Sequence, residues 1–148
     1  MLKRAGIIIK KEEQKYTIYP IDTMKSGGGS ASTPVINDYN LSSQNLLEKI
    51  LNILEFSRDN VEKSNDWKDF QKEYLKSMGV KTIKALHDGA IYLSVNVRNS
   101  TITFTPWKNE GYKKGFSGFE EDLTIKLPFD SAREELVCAL ELTVSRCK

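Results

Sequence analysis

The sequence predicts an α+β fold, a largely antiparallel β-sheet with helices packed mainly on one side, and three observations lead there. Strand-like runs lie at both ends of a helical middle instead of alternating with helices one by one, which disfavours a doubly wound parallel sheet. Ile91 to Val97 alternates apolar and polar residues, as a strand does when one face meets a core and the other meets water. The segments between and after the strands carry their apolar residues on single helical stripes.

In chain order, Arg4 to Lys10 and Lys15 to Tyr19 are rich in β-formers and flank the charged Lys11-Glu12-Glu13-Gln14, the pattern of an N-terminal hairpin whose second strand stops at Pro20. From Pro20 to Asn40 the pattern is lost over an unusually long loop holding Ser26-Gly27-Gly28-Gly29-Ser30 and Pro34, with only Val35-Ile36 suggesting a short strand. Flexibility is expected in its Gly/Ser-rich part, near 25–33. Leu41 to Ser57 reads as the clearest helix: Leu46, Leu47, Ile50, Leu51 and Leu54 share a stripe, Ser42 is the N-cap, and Leu41 and Leu46 have the spacing of a hydrophobic staple.

A second helix is expected from about Asp66 to Met78, with Trp67, Phe70, Tyr74, Leu75 and Met78 on one face and Gly79 as its left-handed stop. A shorter one follows from Lys81 to Asp88. If Asn99-Ser100 is a two-residue turn, Val97 falls opposite Ile102 and Val95 opposite Phe104, so both strands of that hairpin turn apolar side chains to one face. Pro106 to Asp122 reads as irregular, Leu123 to Leu127 as a strand, and the closing helix starts at a capping box of Ser131 and Glu134 and runs on Leu136, Leu140, Val144 and Cys147.

At 148 residues, with 39% hydrophobic and 28% charged residues, the chain is expected to form one domain over 1–148 and to fold alone in water. The apolar run after Met1-Leu2-Lys3-Arg4 breaks at Lys10-Lys11, too soon for an export signal, and no stretch approaches the ~20 apolar residues of a membrane span, so a cytoplasmic location is expected. The two cysteines, Cys138 and Cys147, sit nine residues apart on one helix and are too distant to bridge.

His87 is the single imidazole, so a Ser-His or Cys-His pair would have to use it. Its setting, Ala-Leu-His-Asp-Gly, is that of a helix end, where histidine meets free carbonyls. No Cys-x-x-Cys or second histidine accompanies it, so neither a metal site nor a cofactor is expected. The Gly27-Gly28-Gly29 run lacks the Lys-Ser/Thr that must follow a phosphate loop. Lys3, Arg4, Lys10, Lys11 and Lys15 could share one edge, and Lys108, Lys113 and Lys114 lie among aromatics, as in nucleic-acid binding. A net charge of only +2 argues against that reading.

Across nearly its whole length the chain resembles a family of contact-dependent growth inhibition immunity proteins, the CdiI partners of CdiA toxins. The likeness runs through Lys3-Arg4-Ala5-Gly6-Ile7-Ile8-Ile9-Lys10, Ser57-Arg58-Asp59-Asn60-Val61, Trp67-Lys68, Gly79-Val80-Lys81 and Gly89-Ala90. It continues in Ile102-Thr103-Phe104-Thr105-Pro106, Phe119 and Glu134-Glu135-Leu136. The resemblance implies a non-enzymatic protein that binds and neutralises the C-terminal toxin domain of a cognate CdiA by occlusion. The toxin would be a nuclease, with tRNases among the candidates.

An inhibitor of a cationic nuclease site should present acids beside apolar anchors. Trp107, Tyr112, Phe116, Phe119, Glu120, Glu121 and Asp122 have that character and are the expected toxin-binding residues; no catalytic or metal-binding residue is expected. Two other readings stay open: a small nucleic-acid-binding module, and an enzyme using carboxylates near the same loop.

Overall fold

Five small or apolar residues in a row, Ala5 to Ile9, point alternately to the two faces of a strand, so such a run is fully buried only where both faces are covered. The computed structural model describes residues 2–62, 75–118 and 123–148 and shows both faces covered. Among these residues the strands are β1 (Lys3–Lys10), β2 (Lys15–Thr23), β3 (Gly29–Ala31), β4 (Ile36–Tyr39), β5 (Ala90–Arg98), β6 (Thr101–Asn109), β7 (Phe116–Gly118) and β8 (Ile125–Pro128). The helices are α1 (Ser43–Leu54), α2 (Ile83–His87) and α3 (Arg133–Arg146).

The body of the sheet is four long antiparallel strands in the order β2-β1-β5-β6. Each outer side is completed by two short strands placed end to end: β4 and β3 along β2, β8 and β7 along β6. This is the expected antiparallel α+β architecture. The β5–β6 hairpin has the expected register, Val95 opposite Phe104 and Val97 opposite Ile102. Its turn residues Asn99 and Ser100 both have positive φ, 50° and 64°, as a type I′ turn demands.

Two prolines expected to end strands lie inside them. Pro20 is within β2, opposite Ala5, and Pro106 is within β6, opposite Leu93. Each falls at the junction between two short outer strands, where no partner strand is paired with it. The Pro20 carbonyl points outward to the Ser32 N–H at 2.8 Å, so the missing N–H also faces outward and breaks no ladder bond. The stretch from Pro20 to Asn40 is correspondingly more ordered in pattern than expected, holding the end of β2, all of β3, and β4.

Helices α1 and α3 pack against each other and cover one face: α1 lies over β1 and β2, α3 over β5, β6 and β8. The larger core forms there from Ile7, Ile18, Leu93, Phe104, Leu47, Ile50, Leu136 and Leu140, each fully buried. Burying a side chain of this kind contributes about 1.5–3 kcal/mol. Ser42 caps α1 as expected, its Oγ accepting from the Asn45 N–H at 3.2 Å, although the helix stops at Leu54 rather than Ser57.

The capping box expected for α3 does not form. Ala132 occupies the N-cap with no side-chain bond, while Ser131 Oγ donates to the Pro128 carbonyl at 2.6 Å.

The opposite face carries a smaller core of Ile8, Tyr19, Ile21, Met78, Leu86, Ala90 and Tyr92, with α2 upon it. Gly6 belongs to this face because the Tyr19 ring lies directly over it; a Cβ there would meet the ring at 2.5 Å. The helix expected over 66–78 falls largely on residues 63–74, so Trp67, Phe70 and Tyr74 lie outside the described residues. Residues 75–77 are helical, and Gly79, at φ 72°, makes the expected stop, with the Val80 N–H bonded to the Leu75 carbonyl at 3.1 Å.

Candidate binding surface

The segment expected to be irregular, Pro106 to Asp122, begins as the end of β6 and returns as β7. Past Pro106, β6 leaves β5: Trp107, Lys108 and Asn109 pair with β7, while the Asn109 N–H donates to the Lys148 carbonyl and the Lys148 N–H to the Trp107 carbonyl. The two strands join in a tight loop closed by Glu110 N–H to Gly115 O at 3.0 Å and Gly115 N–H to Gly111 O at 2.7 Å. Gly111 and Gly115 take φ of 90° and 76°, a conformation that favours glycine.

This geometry sorts the expected partner-binding residues. Trp107 is half-buried in the smaller core, its Nε1 donating to Ser94 Oγ at 2.9 Å and its ring tilted against Tyr92. Phe116 stacks on His87 at 4.5 Å between centroids and on Tyr92 at 4.9 Å. Tyr112, at the loop tip, is 46% exposed, with the Lys113 ammonium 6.0 Å from its ring centroid. Phe119, Glu120, Glu121 and Asp122 lie outside the described residues. Of the described aromatics, Tyr112 is the one presented to solvent at this site.

His87 ends α2 as its sequence setting suggested, with Nδ1 2.9 Å from the Ile83 carbonyl one turn back. Asn109 was not singled out by sequence and holds this corner together. Its Nδ2 donates to the carbonyls of His87 at 2.6 Å and Ala90 at 2.8 Å, and its Oδ1 accepts from the Gly111 N–H at 2.9 Å. An Asn followed two residues later by Gly, just past a strand, was the available signal.

At the other end of the sheet, the Ser57 to Val61 segment ties α1 to the first two strands. Ser57 Oγ accepts from the Arg4 N–H at 2.9 Å and donates to the Ile21 carbonyl at 2.6 Å. The buried Asp22 carboxylate accepts from the Arg58 N–H, Nε and Nη2 at 2.9, 3.1 and 2.7 Å. A carboxylate that is 4% exposed is tolerable only with this number of donors.

The charges are divided between these two ends. Lys3 pairs with Glu55 at 2.9 Å, and Arg4 Nη1 lies 3.5 Å from Thr23 Oγ1, at the Ser57 to Val61 end. Lys10, Lys11 and Lys15 are at the opposite end of β1 and β2, so the N-terminal basic residues do not share one edge. Lys10 instead joins α2, its Nζ donating to the Ala85 carbonyl. Lys84 precedes His87 by three residues on that helix, and Lys113 and Lys114 immediately precede Gly115, which lies beside the His87 ring. Three segments that carry lysines therefore come together at the α2 corner.

On the far face an open groove of about 380 Å³ runs between α1 and α3, lined by Leu47, Glu48, Arg133, Glu134, Val137 and Cys138 among others. Its Glu48 is held by Arg133 Nε at 2.8 Å. Both cysteines are free thiols, Cys138 exposed and Cys147 buried. Burial pushes the Cys147 thiol above its ordinary value against opposing contributions from the Trp107 backbone and Lys11. Among the described residues no group of three potential metal-ligating side chains forms, and no helix is long and apolar enough to cross a membrane.

An antiparallel sheet split at both edges, with a helix pair on one face and a short helix on the other, defines a class of small α+β proteins with solved members. A protein of unknown function from Neisseria meningitidis, NMB0488, superposes with a TM-score of 0.77 at 19% identity, covering 100% of this chain and 96% of its own. A chain of the CdiA-CT/CdiI toxin and immunity complex from Yersinia pseudotuberculosis superposes with a TM-score of 0.77 at 15% identity, covering 100% of this chain and 98% of its own. No curated protein matches the chain in sequence. The sequence profile described as CdiI, CDI immunity protein, matches residues 7–147, and the chain belongs to that family.

Proposed function

We propose that this protein binds the C-terminal toxin domain of a cognate CdiA and neutralises it by covering its active site or its substrate-binding surface. The observation that carries the reading is the family match over residues 7–147, supported by a fold held in common with a chain of a CdiA-CT/CdiI complex. Occlusion asks no chemistry of the inhibitor, and His87, the single imidazole, is engaged by a helix carbonyl and by the Phe116 ring. The toxin is a nuclease in this reading, tRNases included, and the two proteins meet in the cytoplasm. The contact surface is the β6–β7 arm with the four residues after it: Trp107 and Phe116 brace the arm, Tyr112 reaches the partner, and Phe119, Glu120, Glu121 and Asp122 supply apolar and acidic contacts.

The test is co-expression with the toxin domain encoded immediately upstream. Cells that survive, and a stoichiometric complex that co-purifies, are the expected result. Death of the cells, or survival without a complex, would overturn direct neutralisation.

A further inference from the structure

We propose that the corner where α2 meets the β6–β7 loop, which carries Lys10, Lys84, Lys113, Lys114 and the exposed Tyr112, docks an acidic segment of the protein partner. The inference rests on the toxin-binding reading and adds to it the chemistry of one contact. Lys84, Lys113 and Lys114 are exposed and form no ion pair among the described residues. Glu110, the acid in the loop, faces Lys108 at 3.8 Å, and the other described acids near the corner are Asp88, after α2, and Glu12 and Glu13, in the turn after Lys10 and Lys11, fewer than the lysines. The corner is thus locally cationic in a chain of net charge only +2.

Its backbone is fixed by Asn109, which bonds the carbonyls of His87 and Ala90, and by the Gly111 to Gly115 closure of the loop. A rigid, charged rim beside one exposed tyrosine has the make-up of a protein contact: the tyrosine anchors and the charges steer and set orientation.

The aromatic rings decide between a protein and a nucleic acid. Single-stranded nucleic acid stacks its bases on open ring faces. Phe116 is stacked with His87 and with Tyr92, at 4.5 and 4.9 Å, so these rings are occupied by one another and Tyr112 is the single open ring among the described aromatics of the corner, too few for a stacking platform. Carboxylates of a partner need no such platform and can be met by flexible ammonium groups.

The experiment compares the full chain with K84E/K113E/K114E for association with the purified upstream toxin domain at two salt concentrations, with thermal unfolding in parallel. The wild type should bind, and the variant should associate more slowly, on the order of tenfold, with a flatter salt dependence and an unchanged unfolding curve. Equal association rates and affinities for the two proteins would overturn the inference and leave the immunity reading standing. Absence of binding by the wild type would overturn both. A single-stranded RNA oligonucleotide is the competing probe: tight binding by the wild type that the variant loses would assign the corner to nucleic acid instead. If the charge reversal unfolds the chain, K84Q/K113Q/K114Q carries the same comparison.

Discussion

Asn109 satisfies three backbone groups from α2, β5 and the β6–β7 loop with one side chain. Asn109→Ala removes both donors from half-buried carbonyls and is expected to lower stability by about 2 kcal/mol, seen as an earlier midpoint in urea with little change in slope. Asn109→Asp should not rescue it, because a carboxylate faces the same two carbonyls. The thiols give a second residue-level expectation. A disulfide-exchange reagent should label Cys138 in the folded protein and reach Cys147 only on unfolding. Because burial raises the Cys147 thiol, folded protein holds that proton more tightly than unfolded chain does. Its contribution is complete below the ordinary value of 9.0 and is lost as pH rises above it, a loss that Cys147→Ala should remove. The burial of Cys147 was legible as part of a helical stripe; the reach of Asn109 across about twenty residues was not, since nothing local to it records where α2 ends.

At the scale of elements, local chemistry was legible wherever cap and periodicity agreed. Ser42 and the Leu46, Leu47, Ile50 and Leu54 stripe give the start of α1 and its buried face, though not its end at Leu54, and the Asn99-Ser100 turn fixes the hairpin register. At α3 the box Ser131/Glu134 was read one residue early, because Ala132 takes the capping backbone conformation, φ −58° and ψ 146°, and Glu135 becomes the third helical residue. Ala132→Ser should therefore complete a box with Glu135 and stabilise the protein by about 1 kcal/mol, raising the thermal midpoint by a few degrees. Ser131→Ala should lack any effect of the size expected for a lost cap. The prolines misled for a related reason: proline excludes a strand bonded on both sides, and sequence does not reveal that Pro20 and Pro106 sit at gaps between outer strands.

For the whole molecule, the α+β class was legible but the sheet order was not, because β1 pairs with a strand some eighty residues away, Lys10 with Ala90 and Lys3 with Val97. The continuous apolar run of β1 was the available sign that the sheet has a core on both faces. That second core also explains why the candidate surface was only partly legible: Trp107 and Phe116 looked like free anchors amid charges, but α2 and Tyr92 give them an interior to fill. For the toxin contact as a whole, Phe119→Ala with Glu121→Lys is expected to weaken neutralisation in a survival assay and leave the thermal transition nearly unchanged; retained nanomolar binding would remove those residues from the interface.

The divided sheet edges have a separate consequence. Fibril growth begins when an arriving chain finds a long row of unpaired amides, and the described outer strands here run only three or four residues before the chain turns away. Concentrated solutions of this protein should accordingly resist amyloid-type aggregation, however rich in isoleucine its central strand is.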